Sequence, residues 1–385
     1  MLELGVDEIT VVLQMPKSFK DLLAKTGWAD LAEKMIHVFE RMADFKKIFG
    51  DRDVEPKAPK GYTKAYHYGE HPFYLAVGYH QYYIEMGVIV KFSAQALDYY
   101  CEISGLKVYE FLKKIRHKDY EIRLSRIDLT ADYIDEGLDT TEIYQSLMDG
   151  KVALFREYTC KKTGEPKFQK QQMSYEGILK TKEVPTVYVG SPKSNSRLRI
   201  YDKKLEQIQR KGTKYEKALG CSDWIRFEGI FRNEYSHQLT EELMKISDDN
   251  EFADLIASTM ANKYRFMIVE QAFADCPTEY TQILIDCISN RDFKLKCPSS
   301  KNYDLVRSIR YIFTGSGIMS TLYKVKTIWD INAVVELMEY LLGKLQNDFE
   351  PNEDCIYWLK KNTDSYKKCY PDMESFLMNN VSALP

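Results

Sequence analysis

The run Val6-Asp7-Glu8-Ile9-Thr10-Val11-Val12-Leu13 is rich in β-branched residues and predicts an opening strand. Trp28, Leu31, Ala32, Met35, Ile36, Phe39 and Met42 then recur at helical spacing, with Gly50 just beyond the end. Three short strand-like runs follow near 63–68, 73–80 and 83–92. Ser93 is placed to cap a second helix continuing to about residue 115. The order is β-α-β-β-β-α.

That order recurs. Residues 122–133 read as a strand, and Asp139-Thr140-Thr141-Glu142 reads as a capping box for a short helix ending near Gly150. Strands are predicted at 152–158, 186–190, 197–201 and 223–233, with a helix over 202–210. Two such units in series predict an α+β fold: a duplicated antiparallel-sheet domain with helices packed on one face. From about Leu239 onward the pattern turns helical, for example at 261–273, 280–289, 303–313 and 330–346, punctuated by Pro277, Pro298 and Pro351. The expected division is therefore 1–120, an N-terminal α+β half; 121–238, a catalytic α+β half; and 239–385, an all-α C-terminal domain.

Composition narrows the class. The 385 residues are 44% hydrophobic and 29% charged, which excludes wholesale disorder. No apolar run reaches the roughly 18 residues a membrane span requires, and Glu3, Asp7 and Glu8 do not suit a signal peptide. The eight cysteines are scattered without a CxxC pair, so reduced thiols and a cytoplasmic setting are expected. His67 and His71 stand four apart in a strand-and-turn stretch, where a structural role outweighs a metal one.

Charge is unevenly spread. Residues 151–217 hold 13 Lys and 4 Arg against 6 Glu and 1 Asp, a net of +10, whereas the whole chain carries −3. A basic block in an acidic chain commonly faces a polyanion, and nucleic-acid phosphate is the usual one. A solvated lysine-rich loop over 161–182 is the alternative for that part of the block. Residues 240–385 carry 16 basic and 22 acidic residues. Nucleic-acid contact there falls to local patches such as Arg291, Lys294, Lys296 and Lys301, or Lys324 and Lys326.

Three segments carry candidate chemistry. In the strand pattern of Arg126-Ile127-Asp128-Leu129-Thr130-Ala131-Asp132, residues 126, 128, 130 and 132 share one face. Two carboxylates there suit a hard divalent cation; a solvent-facing polar strand surface is the alternative. Trp224, Arg226 and Glu228 share a face of the next segment, where Glu228 offers a third carboxylate and Arg226 a partner for it or for phosphate. The third segment runs from the turn Gly190-Ser191-Pro192-Lys193 into a strand with Arg197, Arg199 and Tyr201 on one side, followed by Lys203 and Lys204. A tyrosine beside cations is a candidate nucleophile towards a phosphodiester, because cations favour the phenolate. Taken alone, a strand tyrosine beside lysines is more often structural.

These stretches resemble the transposon and plasmid replication initiation factor family, Rep_trans, which includes rolling-circle initiators and related conjugative relaxases. The resemblance rests on residues 126–132, 187–194, 199–206 and 224–228, with 86–97 similar to the N-terminal half, and covers about 5–240. It implies a DNA nicking-closing enzyme that cuts one strand at an origin, forms a 5′-phosphotyrosine link and leaves a 3′-OH primer. By position Tyr201 would be the nucleophile, Tyr188 a weaker candidate, and Lys203 and Lys204 its catalytic neighbours. Asp128 and Glu228, with Asp132 as a third, would hold Mg or Mn, an all-oxygen site. Lys193, Arg197, Arg199 and Arg226 would bind phosphate. Implied partners are DNA at a replication origin or oriT, single-stranded or cruciform, a host helicase and polymerase, and a second copy in a homodimer; no membrane is implied. An opening strand in place of a helix-turn-helix tilts the expectation from relaxase to replication initiator. A non-catalytic origin binder and an RNA-binding duplicated sheet are the competing classes.

Overall fold

The computed structural model describes residues 1–16, 18, 23, 26–68, 74–159, 165–180, 183–269, 276–289, 292–295, 305–314, 316–351 and 353–380. In chain order the first half contains β1 (Leu2–Gln14), α1 (Trp28–Met42), α2 (Phe45–Phe49), β2 (Arg52–Val54), β3 (Lys64–Tyr68), β4 (Leu75–Tyr79), β5 (Val88–Phe92), α3 (Ala94–Ser104) and α4 (Val108–Lys114). The second half contains β6 (Glu121–Ile134), α5 (Thr140–Met148), β7 (Val152–Thr159), β8 (Pro166–Lys170), β9 (Tyr175–Lys180), β10 (Glu183–Val189), β11 (Ser196–Asp202), α6 (Lys203–Arg210), α7 (Tyr215–Gly220) and β12 (Trp224–Arg232). There follow α8 (Glu234–Leu243), α9 (Asp249–Lys263), β13 (Arg265–Ile268), β14 (Cys276–Pro277) and α10 (Glu279–Asp286).

Local chemistry sets several of these boundaries. Asp139 Oδ1 accepts from the Thr141 and Glu142 amides at 2.7 and 3.0 Å and starts α5. Ser93 Oγ does the same for Ala96 at the start of α3. The helix expected to run unbroken to 115 ends instead at Ser104, because Gly105 takes the left-handed conformation at its C-terminus. The segment 161–182, for which a solvated loop was the alternative reading, contributes β8 and β9 among its described residues. The helix expected over 261–273 is corrected too: α9 ends at Lys263 and β13 begins at Arg265.

Ten strands form one antiparallel sheet in the order β2-β3-β4-β5-β1-β6-β12-β11-β10-β9. The two halves are therefore joined edge to edge through β1 and β6. Outward from that seam each half has one order: its first strand, then its remaining strands from last to earlier. One face is apolar. Ile127, Leu129, Ala131, Phe227, Phe231, Leu198 and Ile200 line it and are buried in a core shared with α1, α3, α8 and α9. Gly229 explains how closely α9 lies: a Cβ there would come within 2.6 Å of Met260 Sδ.

A four-stranded sheet, β14-β13-β7-β8, completes this unit. Compact units divide at 296/297, so residues 239–296, expected with the C-terminal domain, belong with the first unit. The physical reason is long-range: β13 pairs with β7, and Phe266 packs on Phe227 and Tyr280. Among its described residues the second unit has five helices and no strand: α11 (Leu305–Thr314), α12 (Ile318–Ile328), α13 (Ile331–Asn347), α14 (Glu353–Cys369) and α15 (Met373–Asn380). No helix among the described residues is long and apolar enough to cross a membrane.

Candidate functional site

The charged residues singled out in the sequence meet on the other face of the large sheet. Strand register makes rows across it. Tyr188 on β10 opposes Arg199 on β11, which opposes Glu228 on β12, then Thr130 on β6 and Gly5 on β1. The next row is Thr186, Tyr201, Arg226, Asp132 and Glu3. In a third, Arg197 opposes Ile230, which opposes Asp128. Period-two alternation keeps all these side chains on one side.

The β1 end of the Asp128 row holds two acids that the sequence reading had not placed in the site. Register shifts between Val6 and Ile9, so Asp7 and Glu8 form a bulge. Ordinary alternation would send them to opposite faces. The bulge instead lets Asp7 accept from Arg226 at 2.5 Å and Glu8 from Arg126 at 2.7 Å. Two adjacent acids inside a β-branched strand were the available signal.

Each acid is turned onto an arginine. Arg126 holds Asp128 through Nε at 2.9 Å and Nη2 at 2.5 Å. Arg226 holds Asp132 through Nε at 2.6 Å and Nη2 at 2.7 Å. Arg199 donates to Glu228, and its guanidinium lies 4.6 Å from the Tyr201 ring centre. Asp128 and Glu228 are each only 1% exposed. Burial pushes Asp128 up to about 7, against the pull of Arg126, and Glu228 adds to the rise. Burial raises Glu228 as well, with Asp7 the next cause and Arg199 opposing. Burial works against the charge of Arg226, yet Asp132 keeps its pKa well above the ordinary value.

The two tyrosines differ. Tyr201 is 7% exposed, its hydroxyl 3.4 Å from Lys203 Nζ, and burial drives its pKa far above the usual phenol range. Tyr188 is half-buried, with the Arg197 guanidinium 4.0 Å from its ring centre. Arg197 also bonds Glu176 at 2.6 Å and the Gly190 carbonyl at 3.2 Å. Lys203 pairs with Glu206 at 2.6 Å. Lys204, expected beside the reacting phenol, instead donates to the carbonyls of Cys221 and Ser222 at 2.7 and 3.0 Å. A small apolar cluster of Ile134, Ala218, Cys221 and Trp224 closes this end of the polar face beneath α6 and α7. Lys193 is exposed at the β10–β11 turn.

Donor chemistry at Asp128 and Glu228 fits a hard divalent cation: two buried carboxylates on adjacent strands, with the charge of Glu228 raising Asp128. An arginine holds both oxygens of Asp128 and of Asp132 alike, but Arg126 is 26% exposed and can turn out to solvent, whereas Arg226 is 5% exposed and also tied to Asp7, so Asp132 is the less available. As the side chains stand, no three His, Cys, Asp or Glu among the described residues are grouped to hold a metal ion. His67 lies 3.8 Å from Glu55, and His71 is outside the described residues. Of the expected basic patch after 290, Lys294 pairs with Glu157 at 2.9 Å, while Arg291, Lys296 and Lys301 lie outside the described residues.

The acids, arginines and tyrosines named from the sequence thus share one sheet face. The family model for replication initiation factors, Rep_trans, matches residues 122–338, more than half of the chain and including every strand of the polar face except β1. The chain belongs to the Rep_trans family. A solved rolling-circle replication initiator protein from Geobacillus stearothermophilus is similar in structure, with 17% sequence identity and a TM-score of 0.48, covering 75% of this chain and 99% of that one. No curated protein matches the sequence.

Proposed function

We propose that the chain initiates rolling-circle replication at a DNA origin, in the cytoplasm, by cutting one strand with a tyrosine hydroxyl. Family membership supports the replication role; the row Tyr188–Arg199–Glu228 is the observation that carries the chemistry. The Tyr188 oxygen attacks phosphorus, the bond to the 3′-oxygen breaks, and that oxygen leaves with a proton as the 3′-OH primer. The phenol proton leaves to water, which reaches the half-buried Tyr188, and the departing 3′-oxygen takes its proton from water in turn. Arg197 and Arg199 hold the phosphate and offset the charge that builds on it. Lys193, at the exposed turn, meets the strand to either side. Asp128 and Glu228 would hold Mg or Mn, which when bound would polarise a phosphate oxygen. The common strand order of the two halves supports reading them as copies of one module.

Tyr188 is preferred to Tyr201 because a backbone phosphate must reach the oxygen, and Tyr201 is almost wholly covered. The Lys203 contact favours the second reading, in which Tyr201 attacks once the face opens. The test is wild type, Tyr188→Phe and Tyr201→Phe with Mn and single-stranded DNA from the element encoding the chain. Denaturing electrophoresis follows, with peptide mapping of the adduct. Tyr188→Phe is expected to form no covalent adduct while still binding DNA. An adduct that survives in Tyr188→Phe and maps to Tyr201 moves the role to Tyr201; no adduct with wild type ends the nicking reading.

A further inference from the structure

Beyond the nick site, the small sheet carries a surface that the motifs did not absorb. Strand β13 pairs with β7 only from Val152 to Phe155. Past that point β7 has β8 as its partner, so residues 156–159 and 166–169 form a ribbon two strands wide. Its two faces are unlike. On the back, the guanidinium of Arg265 lies 5.0 Å from the Phe168 ring centre, and Lys294 bonds Glu157 at 2.9 Å. Phe155, Glu157 and Phe168 are accordingly half-buried. On the front, Arg156 opposes Gln169 and Tyr158 opposes Lys167. All four are exposed, Tyr158 to 44%, and no side chain among them has a hydrogen bond or ion pair within the described residues.

We propose that this front face is a duplex-DNA reader that enters the major groove. The proposal rests on the DNA-acting role given above but uses none of the polar-face residues. A two-stranded ribbon fits the width of that groove. Arginine and glutamine side by side match the paired hydrogen-bonding edges of guanine and adenine, while a lysine and a tyrosine hydroxyl suit flanking phosphates. Lysine alone on an edge strand is explained by protection against edge-to-edge pairing. That explanation does not require Arg156, Gln169 and Tyr158 on the same bare face. The ribbon also lies within the segment of net charge +10, opposite in sign to its partner.

The probe is a pool of short DNA duplexes with a randomised centre, retained by the full-length chain and then sequenced. Wild type is expected to enrich one sequence. Arg156→Ala and Gln169→Ala should each lose preference at a base position and bind the enriched duplex roughly ten- to a hundredfold more weakly. Lys167→Ala should weaken all duplexes alike and lower the salt dependence by about one unit. All three positions are on the surface, so melting temperatures should match wild type, and covalent attachment to a single-stranded oligonucleotide should persist. Wild-type affinity and the wild-type sequence in the Arg156 and Gln169 variants would overturn the proposal, as would no enrichment by wild type. Failure of the nicking reading is a separate result, seen as no adduct with wild type while duplex selection still reads out.

Discussion

Arg226 and Asp132 face each other across the β12–β6 pair and are joined by two hydrogen bonds, 2.6 and 2.7 Å long, with both side chains buried. The third arm of the guanidinium reaches Asp7 on β1 at 2.5 Å, so one side chain ties three central strands together. Removing it leaves two acids without their counter-ion in a low-dielectric layer. Arg226→Ala is expected to cost about 3–5 kcal/mol in urea unfolding. The apolar pair Arg226→Met with Asp132→Leu should recover part of that loss. Because the arginine on Asp132 is buried and cannot turn away as the part-exposed Arg126 on Asp128 can, Asp132→Asn should lower stability and leave Mn affinity near wild type. Equal loss of Mn binding in Asp132→Asn and Asp128→Asn would instead make Asp132 a ligand.

Asp128 makes stability depend on pH in an unusual direction. Burial raises its pKa in the folded chain from 3.8 to about 7. Between those values the folded state holds a proton that the unfolded chain has released, so stability contributed by this group falls as pH rises. Below about pH 4 both states are protonated and the cost vanishes; above about pH 7 it is complete. Asp128→Asn cannot titrate. Its melting temperature relative to wild type should therefore climb between pH 4 and 7 and then level off. A constant difference over that range would mean that Asp128 is not held protonated.

Much of this face was legible because strands have period two. Alternation alone put Arg126, Asp128, Thr130 and Asp132 on one side, and likewise Arg197, Arg199 and Tyr201. The pairing of each acid with a particular arginine was not legible, since it depends on which strands are neighbours and in what register. Asp7 and Glu8 were invisible for a different reason: a bulge breaks the alternation on which the reading relied. The boundary expected at 238/239 failed because β13 and β14 are only four and two residues long. Strands that short have no periodicity to detect, and their long-range pairing gives them meaning. In the β10–β11 hairpin the motif was clear, yet only burial separates Tyr201 from Tyr188.

The first half of the sheet depends on Gly87 before β5. Its backbone has φ 68° and ψ −165°, a region close to glycine-only. A Cβ there would sit 2.5 Å from the Leu13 carbonyl oxygen and 3.0 Å from Val12 Cγ1, on β1 itself. Gly105 offers a comparison: it shares φ 68° but has ψ 13°, the milder left-handed region, and nothing lies within 4 Å of its Cβ position. Gly105→Ala should cost about 1–2 kcal/mol for the left-handed backbone alone. Gly87→Ala should cost more, since its backbone region is harsher for a side chain and β1 must move as well. Equal urea midpoints for the two variants would show that the close approach to β1 does not matter.

Arg199 offers a test of the Glu228 site that needs no catalysis. Its guanidinium is the direct partner of Glu228, and its Nε has no hydrogen-bond partner among the described residues. In Arg199→Gln the carboxylate keeps its place but loses its counter-ion. A buried, unpaired charge is costly, so the variant should be less stable than wild type without metal. A divalent cation no longer competes with arginine there, and binding to the folded state alone raises stability by mass action. Addition of Mn should therefore raise the melting temperature of Arg199→Gln by more than that of wild type. The double variant Arg199→Gln with Glu228→Gln should lose both the penalty and the response. A Mn response that survives in the double variant would place the cation elsewhere and remove Glu228 from the site.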